Sequence, residues 1–258
     1  MLRIGGSLVL LKDGTPLDVD QLARLPPMPF SVSKVDLAHN EQFESADMAA
    51  IGDLCRLQTL DVDHTALADG GLEHLRKMTR LVNLNVGGTH ITDAGLALLA
   101  DKALLRRLSL SQTQVTDAGL VHLASLEQLE ALDLGETQIT DAGLEQLEAL
   151  TELAELGLYD TKITDRGLFH LRSRKSLKLL FLNNTQVTDL GTRHLMWLRN
   201  LTTLGLRNTQ LTEAGLEGLE GLQNLSDLDV KGTRITAAGV RQFQVVRPQC
   251  RIKSGGSD

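Results

Sequence analysis

The stretch Leu129–Glu152 reads LEALDLGETQITDAGLEQLEALTE. Its first half alternates, with Leu132 and Leu134 pointing one way and Ala131, Asp133 and Gly135 the other. A period of two is that of a short, half-buried strand. Its second half spaces Leu144, Leu147 and Leu150 by three, a narrow apolar stripe on a helix. Between them, Thr140-Asp141 reads as a helix start: the threonine hydroxyl caps free backbone amides and the aspartate meets the positive end of the helix dipole. One strand and one helix cannot hide their own apolar sides. Stacked copies can, with the strands in a parallel sheet and the helices in an outer layer.

The copies are present. A shift of 24 residues superimposes the chain on itself, carrying Thr65 onto Thr89, Thr113, Thr137, Thr161, Thr185, Thr209 and Thr233. Glycine follows six residues later each time, from Gly71 to Gly239, and a leucine ladder runs from Leu60 to Leu228. The register holds without insertion from Leu57 to Pro248, eight units of 24.

The unit L-x-x-L-x-L-x-x-T-x-I-T-D-A-G-L-x-x-L-x-x-L resembles the leucine-rich repeat, whose signature is L-x-x-L-x-L-x-x-N/C-x-L. Threonine stands where that family has asparagine or cysteine. The variant is similar to short bacterial repeats related to the cysteine-containing class seen in F-box proteins. The resemblance covers residues 57 to 248 of the 258. It implies an α/β solenoid shaped as a horseshoe, with a parallel sheet on the concave face and helices on the convex face. The recurrent threonine is expected to turn inward and to bond loop backbone that would otherwise be orphaned.

The ends read as caps. Residues 1–32 form an N-terminal cover: a strand near Leu8–Leu11, the turn Asp13-Gly14-Thr15-Pro16 and the breaker Leu25-Pro26-Pro27. Residues 33–56 form a degenerate capping repeat, with Val35 and Leu37 one residue out of register and Met48, Ile51 and Leu54 in it. Residues 249–258 carry a cap strand, in which Ile252 takes the place of Leu228, and a disordered tail from Ser254. Cys55 and Cys250 lie at opposite ends, too far apart to pair, and are expected to be buried small hydrophobes. Lys102 and Arg174 occupy a helix leucine position, as does Thr192, for which Leu190 offers a substitute; these units are expected to pack more loosely.

Composition narrows the function. Seven aromatics among 258 residues cannot anchor an ordinary core, so leucine must fill it. The longest early apolar run, Leu8–Leu11, is too short for a membrane span or a signal-peptide core. With two cysteines and no disulfide framework, a reducing, cytoplasmic setting is the expectation. A net charge of -7 argues against nucleic-acid binding. Neither GxSxG nor HExxH nor a P-loop is present, and Gly215, Gly218 and Gly221 fall in a helix and its exit. His74, His122, His170 and His194 share one outer-helix position, on neighbouring axes about 8–10 Å apart, too far for a shared metal. Asn183, Asn200 and Asn224 match a glycosylation triplet that is common by chance. No cofactor or metal is expected.

Charge is unevenly distributed. Residues 127–160 hold ten acidic residues and no Lys or Arg; residues 161–200 hold eight basic residues against two acidic. Register assigns Arg166, Arg172, Arg174, Lys175, Arg193 and Arg199 to the helix side, where a lateral pair such as Glu148–Arg172 can form. The concave face receives Asp133, Glu136, Glu155, Tyr159, Asp160, Phe181, Asn183, Asn184, Arg207 and Asn208. This is an acidic patch with two aromatic anchors that have no packing role, suited to a basic protein or peptide. The expectation is a monomeric, non-catalytic scaffold without a membrane or nucleic-acid partner. One alternative is the substrate-recognition arm of a ubiquitin ligase, against which stand the few residues before the first repeat. Another is an enzyme using Asp13, Asp18 and Asp20 of the N-terminal cover.

The inward placement of Leu132 is testable. Leu132→Ala is expected to cost roughly 2–5 kcal/mol in a urea melt through cavity formation; a loss under about 0.5 kcal/mol contradicts that placement.

Overall fold

The computed structural model describes residues 10–12, 15–17 and 32–255. Ten strands form one parallel sheet in strict chain order: β3 (Lys34–Asp36), β4 (Thr59–Asp61), β5 (Asn83–Asn85), β6 (Arg107–Ser109), β7 (Ala131–Asp133), β8 (Glu155–Gly157), β9 (Leu179–Phe181), β10 (Thr203–Gly205), β11 (Asp227–Val230) and β12 (Arg251–Ser254). Before them, β1 (Leu10–Lys12) and β2 (Thr15–Leu17) pair antiparallel. From β4 to β12 each strand matches the next at 24 residues, as Leu132 matches Leu156. Between β3 and β4 the step is 25, with Val35 opposite Leu60.

Each strand is three or four residues long because only the alternating segment of each unit has strand periodicity. Its inward leucine and the leucine two residues on, Leu132 in β7 and Leu134 just after it, are buried in a single core running from Val32 to Cys250. The outer layer holds short helices: α1 (Met48–Ile51), α2 (Asp69–Leu72), α3 (Asp93–Ala97), α4 (Asp141–Gln146), α5 (Asp165–Leu171), α6 (Asp189–Leu195), α7 (Glu213–Glu217) and α8 (Ala237–Val246). Several turns tighten to 3-10 geometry, wholly so at Gly119–Ser125. A leucine every third residue favours this, since residues three apart eclipse on a 3-10 helix.

The recurrent threonines face inward. From Thr65 to Thr233 each hydroxyl donates to the carbonyl three residues earlier, at the strand's end, over 2.6–2.8 Å. This satisfies an acceptor that the sheet does not use at the turn.

The T-D-x-G segment joins neighbouring coils. Thr140 Oγ1 accepts from the Ala142 amide, capping its own helix. Thr140 also donates twice to the previous coil's Asp117, through its amide at 2.8 Å and its hydroxyl at 2.6 Å. The same pair of bonds joins Asp69 to Thr92, Asp93 to Thr116, Asp141 to Thr164, Asp165 to Thr188 and Asp189 to Thr212. The glycine follows from this: a Cβ on Gly143 would collide with Asp117 Oδ1. At the start of the series Ser45 Oγ takes the aspartate's place against the Ala68 amide. At its end Glu213 accepts from the Thr236 amide, and Ala237 stands at the aspartate position of the last described helix.

Several expectations need correction. Lys102 is only 1% exposed, and Arg174 and Thr192 are buried, so these positions are filled rather than loose. The aliphatic stems of Lys102 and Arg174 replace leucine. The Arg174 guanidinium donates to the Glu148 carbonyl at 2.9 Å, and burial lowers its pKa. Lys102 Nζ lies 2.9 Å from Asp101 Oδ1 but off the line a hydrogen bond needs. Leu190 is 62% exposed and does not stand in for Thr192, whose hydroxyl bonds the Asp189 carbonyl in place of apolar contact. Cys250 is buried but Cys55 is exposed, because it falls in the outward link between helix and strand where later coils carry Thr79 and Glu127. Ser254 pairs with Val230 in β12, not in a loose tail. Residues 256–258, the Asp13-Gly14 turn, Asp18, Asp20 and the Leu25-Pro26-Pro27 breaker lie outside the described residues.

The bridge makes a prediction opposite in sign to helix propensity. Alanine is favoured over glycine in a helix by about 1 kcal/mol, yet Gly143→Ala is expected to destabilise by about 1–3 kcal/mol. In an Asp117→Ala background most of that penalty is expected to vanish, which a double-mutant cycle by urea unfolding measures. A penalty unchanged in that background excludes the carboxylate as its cause.

Candidate functional site: the concave groove

The core claims the even positions of each strand, so the odd positions stand on the concave face. They line a groove of about 750 Å³ crossing β4 to β9. Its floor includes Ala131, Gly157 and the edges of the inward leucines. Its walls carry Asp61, Asn83, Asn85, Arg107, Ser109, Asp133, Glu155, Tyr159, Phe181 and Asn183.

Tyr159 and Phe181 are half-buried rather than free-standing. The Tyr159 ring lies on Gly135, where any Cβ would strike it, and its hydroxyl donates to Asp133 Oδ2 at 3.1 Å. The tyrosine therefore does have a packing role, which its position in the sequence does not reveal. Phe181 stands in register between Gly157 and Gly205, and the space over those glycines is taken by the Asp133 and Asn183 side chains. Arg107 reaches over Ala131 to pair with Glu155 two strands away, at 3.0 Å, and offsets part of the acidic charge.

Burial shapes the electrostatics. Desolvation raises the Asp133 and Asp61 carboxyls above their ordinary value, against the lowering effect of backbone amides from Gly135 and Asp63. Burial and the neighbouring Asp133 charge push Tyr159 up to about 12, so it remains a hydrogen-bond donor at neutral pH.

Of the ten residues assigned to this face, Asp133, Glu155, Tyr159, Phe181 and Asn183 line the groove. Glu136, Asp160, Asn184 and Asn208 form its rim, each in the left-handed region at φ 55–59°. There Asn184 donates to Asp160 and Asn208 to Asn184, at 2.8 and 2.7 Å. The Asn183 side chain accepts from the Arg207 amide at 3.0 Å, and Arg207 itself is exposed beyond the groove. The sequence reading passed over Asp61, Asn83, Asn85, Arg107 and Ser109, which occupy the same repeat positions outside the acidic block.

On the convex side, Arg172 stacks 3.7 Å over Phe169 and makes no pair with Glu148. His170 and His194 meet the Phe169 ring edge-on, at 5.7 and 5.8 Å between centroids. The other cluster of ring nitrogens is on the rim, where His39, Asp63 and His64 place their ligand atoms within 4.8 Å of one another. That group also went unnoticed in the sequence.

The family model for the leucine-rich repeat matches residues 77–100, 102–124 and 128–147. The chain is built of leucine-rich repeats. Comparison with curated proteins finds no match. Among solved structures, this leucine-rich repeat chain is similar to an internalin (inlF) from Listeria monocytogenes, at TM-score 0.72 and 24% identity over 93% of its length. It spans only 64% of that internalin. An internalin C2 (inlC2) from the same organism matches at TM-score 0.62 and 25% identity, covering 81% of this chain and 83% of that one. A plant peptide hormone receptor, RGFR1, in complex with RGF2, matches at TM-score 0.51 and 18% identity over 80% of this chain and 37% of that one. These likenesses establish the fold.

The raised Asp133 carboxyl sets a pH dependence. A folded pKa above the unfolded one gives a stabilising contribution that is present at low pH and lost as pH rises through the folded value. Asp133→Asn removes the titration. The wild type is therefore expected to lose melting temperature relative to Asp133→Asn as pH rises from about 3 to 7. Parallel pH profiles contradict the desolvation of Asp133.

Proposed function

We propose that the concave groove binds an extended, basic segment of a partner protein, and that the chain acts as a non-catalytic scaffold. The observation that carries this is the pair of half-buried aromatics, Phe181 and Tyr159, lining a groove whose walls hold Asp61, Asp133 and Glu155 against a single Arg107. An apolar anchor ringed by carboxylates suits a Lys- or Arg-bearing segment with a hydrophobic side chain between the charges. The raised carboxyls favour the same ligand, since an arriving cation stabilises the ionised form that burial disfavours. The groove also crosses six strands, a length suited to a chain laid across the coils. The complex of the plant receptor with RGF2 supports a ligand-binding use of this fold.

Two pools of fluorescein-labelled ten-residue peptides, one of alternating Lys/Arg and aliphatic residues and one with Glu/Asp in place of Lys/Arg, test this by anisotropy. The basic pool is expected to bind and the acidic pool not to. Tyr159→Ala with Phe181→Ala is expected to weaken binding about thirtyfold, equivalent to about 2 kcal/mol. Unchanged binding, with folding intact by circular dichroism, removes the groove from the binding surface.

A further inference from the structure

We propose that His39, Asp63 and His64 bind a divalent transition-metal ion, zinc foremost, on the rim of the first coils. The site is independent of the groove's peptide ligand.

The backbone sets the three residues side by side. His39 and His64 take the same left-handed turn position in successive coils, at φ 59° and 50°. The His39 amide donates to the Asp63 carbonyl at 2.7 Å, and the His64 amide to the Gly87 carbonyl at 2.8 Å. Their rings lie 5.0 Å apart between centroids. Asp63 Oδ2 sits between them, 2.7 Å from His64 Nδ1 and 3.8 Å from His39 Nε2.

Two glycines in the next coil make room for this cluster. A Cβ on Gly87 would come within 2.7 Å of Asp63 Oδ1, and one on Gly88 within 2.8 Å of the His64 ring. With Gly88 bare, His64 Nε2 reaches across to Gln112 Oε1, at 3.0 Å and two coils away. The Gln112 amide is oriented by its own donation to Glu136 at 2.8 Å, so its oxygen faces the histidine. The acceptor-only Gln112 oxygen makes Nε2 a donor, and Nδ1, 2.7 Å from the acceptor-only Asp63 carboxylate, donates as well until a metal ion takes that proton's place. A metal-bound histidine ordinarily donates its other nitrogen to an oxygen acceptor in this way.

Two imidazoles and one carboxylate are a borderline donor set that suits zinc, nickel or copper rather than calcium or magnesium, which prefer all-oxygen sites. Bonds of about 2.0–2.1 Å place tetrahedral ligand atoms about 3.3 Å apart. The present spacings bracket that value, and the His39 side chain, 73% exposed, is free to swing inward. Three protein ligands leave a fourth position open to water.

The test uses untagged protein stripped by chelator and titrated with Zn²⁺ in excess Mg²⁺ by calorimetry, with Co²⁺ absorption as a second readout. One equivalent is expected to bind and to raise the melting temperature. His39→Ala and His64→Ala are each expected to abolish binding, and Gln112→Ala to weaken it about tenfold or more. His170→Ala with His194→Ala is expected to leave it unchanged. Should His64→Ala fail to fold, the exposed His39→Ala decides. Absence of saturable binding, or binding that survives His39→Ala, overturns the proposal.

Discussion

A carboxylate reaching from one coil to the next is the constraint on which the rest of this structure depends. Each aspartate sits at the first turn of its own helix, or for Asp117 just ahead of a 3-10 helix, and accepts two bonds from the following coil's threonine. The charge faces amides at a helix start, where the dipole favours it. One interaction thus explains three letters of the motif: the threonine as cap and donor, the aspartate as acceptor, and the glycine as the residue without a Cβ to obstruct it. With the inward threonines fixing the turn after each strand, the coil-to-coil step leaves little freedom. The series changes at both ends, where Ser45 takes the aspartate's place against the Ala68 amide and Ala237 follows the last bridge.

Because bridge and core together occupy the inward and helix-start positions, the concave columns are released from the leucine core. Chemistry varies there. The fifth-position column runs Asp133, Gly157, Phe181, Gly205, Asp229, so one aromatic stands between two bare glycines with carboxylates beyond. The same logic places His64 beside Gly88 on the rim. The proposed binding surface lies in these columns.

Much of this was legible in the sequence, because the 24-residue period assigns the recurrent leucines an inside position. Leu132 and Leu134 were readable as core from alternation alone, and the helix cap from Thr140-Asp141. What escaped were properties belonging to two coils at once. The bridge from Asp117 to Thr140 crosses a coil boundary, as does the seat of Tyr159 on Gly135. Exposure of Leu190 and burial of Lys102 reverse ordinary hydropathy, since a long stem can fill a leucine site while a leucine beside the cap has nothing to cover it. The histidine cluster was hidden by arithmetic: counted at 24, His39 falls on Asp63, and only the 25-residue step between β3 and β4 aligns it with His64.

The most direct test of coil-to-coil stacking is excision of one complete unit. Deleting residues 105–128 brings Asp93 to Thr140 and Gly143, the same motif it meets now, whereas deleting residues 105–116 breaks the register for everything beyond. Urea unfolding followed by circular dichroism should show a single cooperative transition for the whole-unit deletion and its loss for the half-unit deletion. Equal behaviour of the two deletions would contradict a stack joined coil by coil.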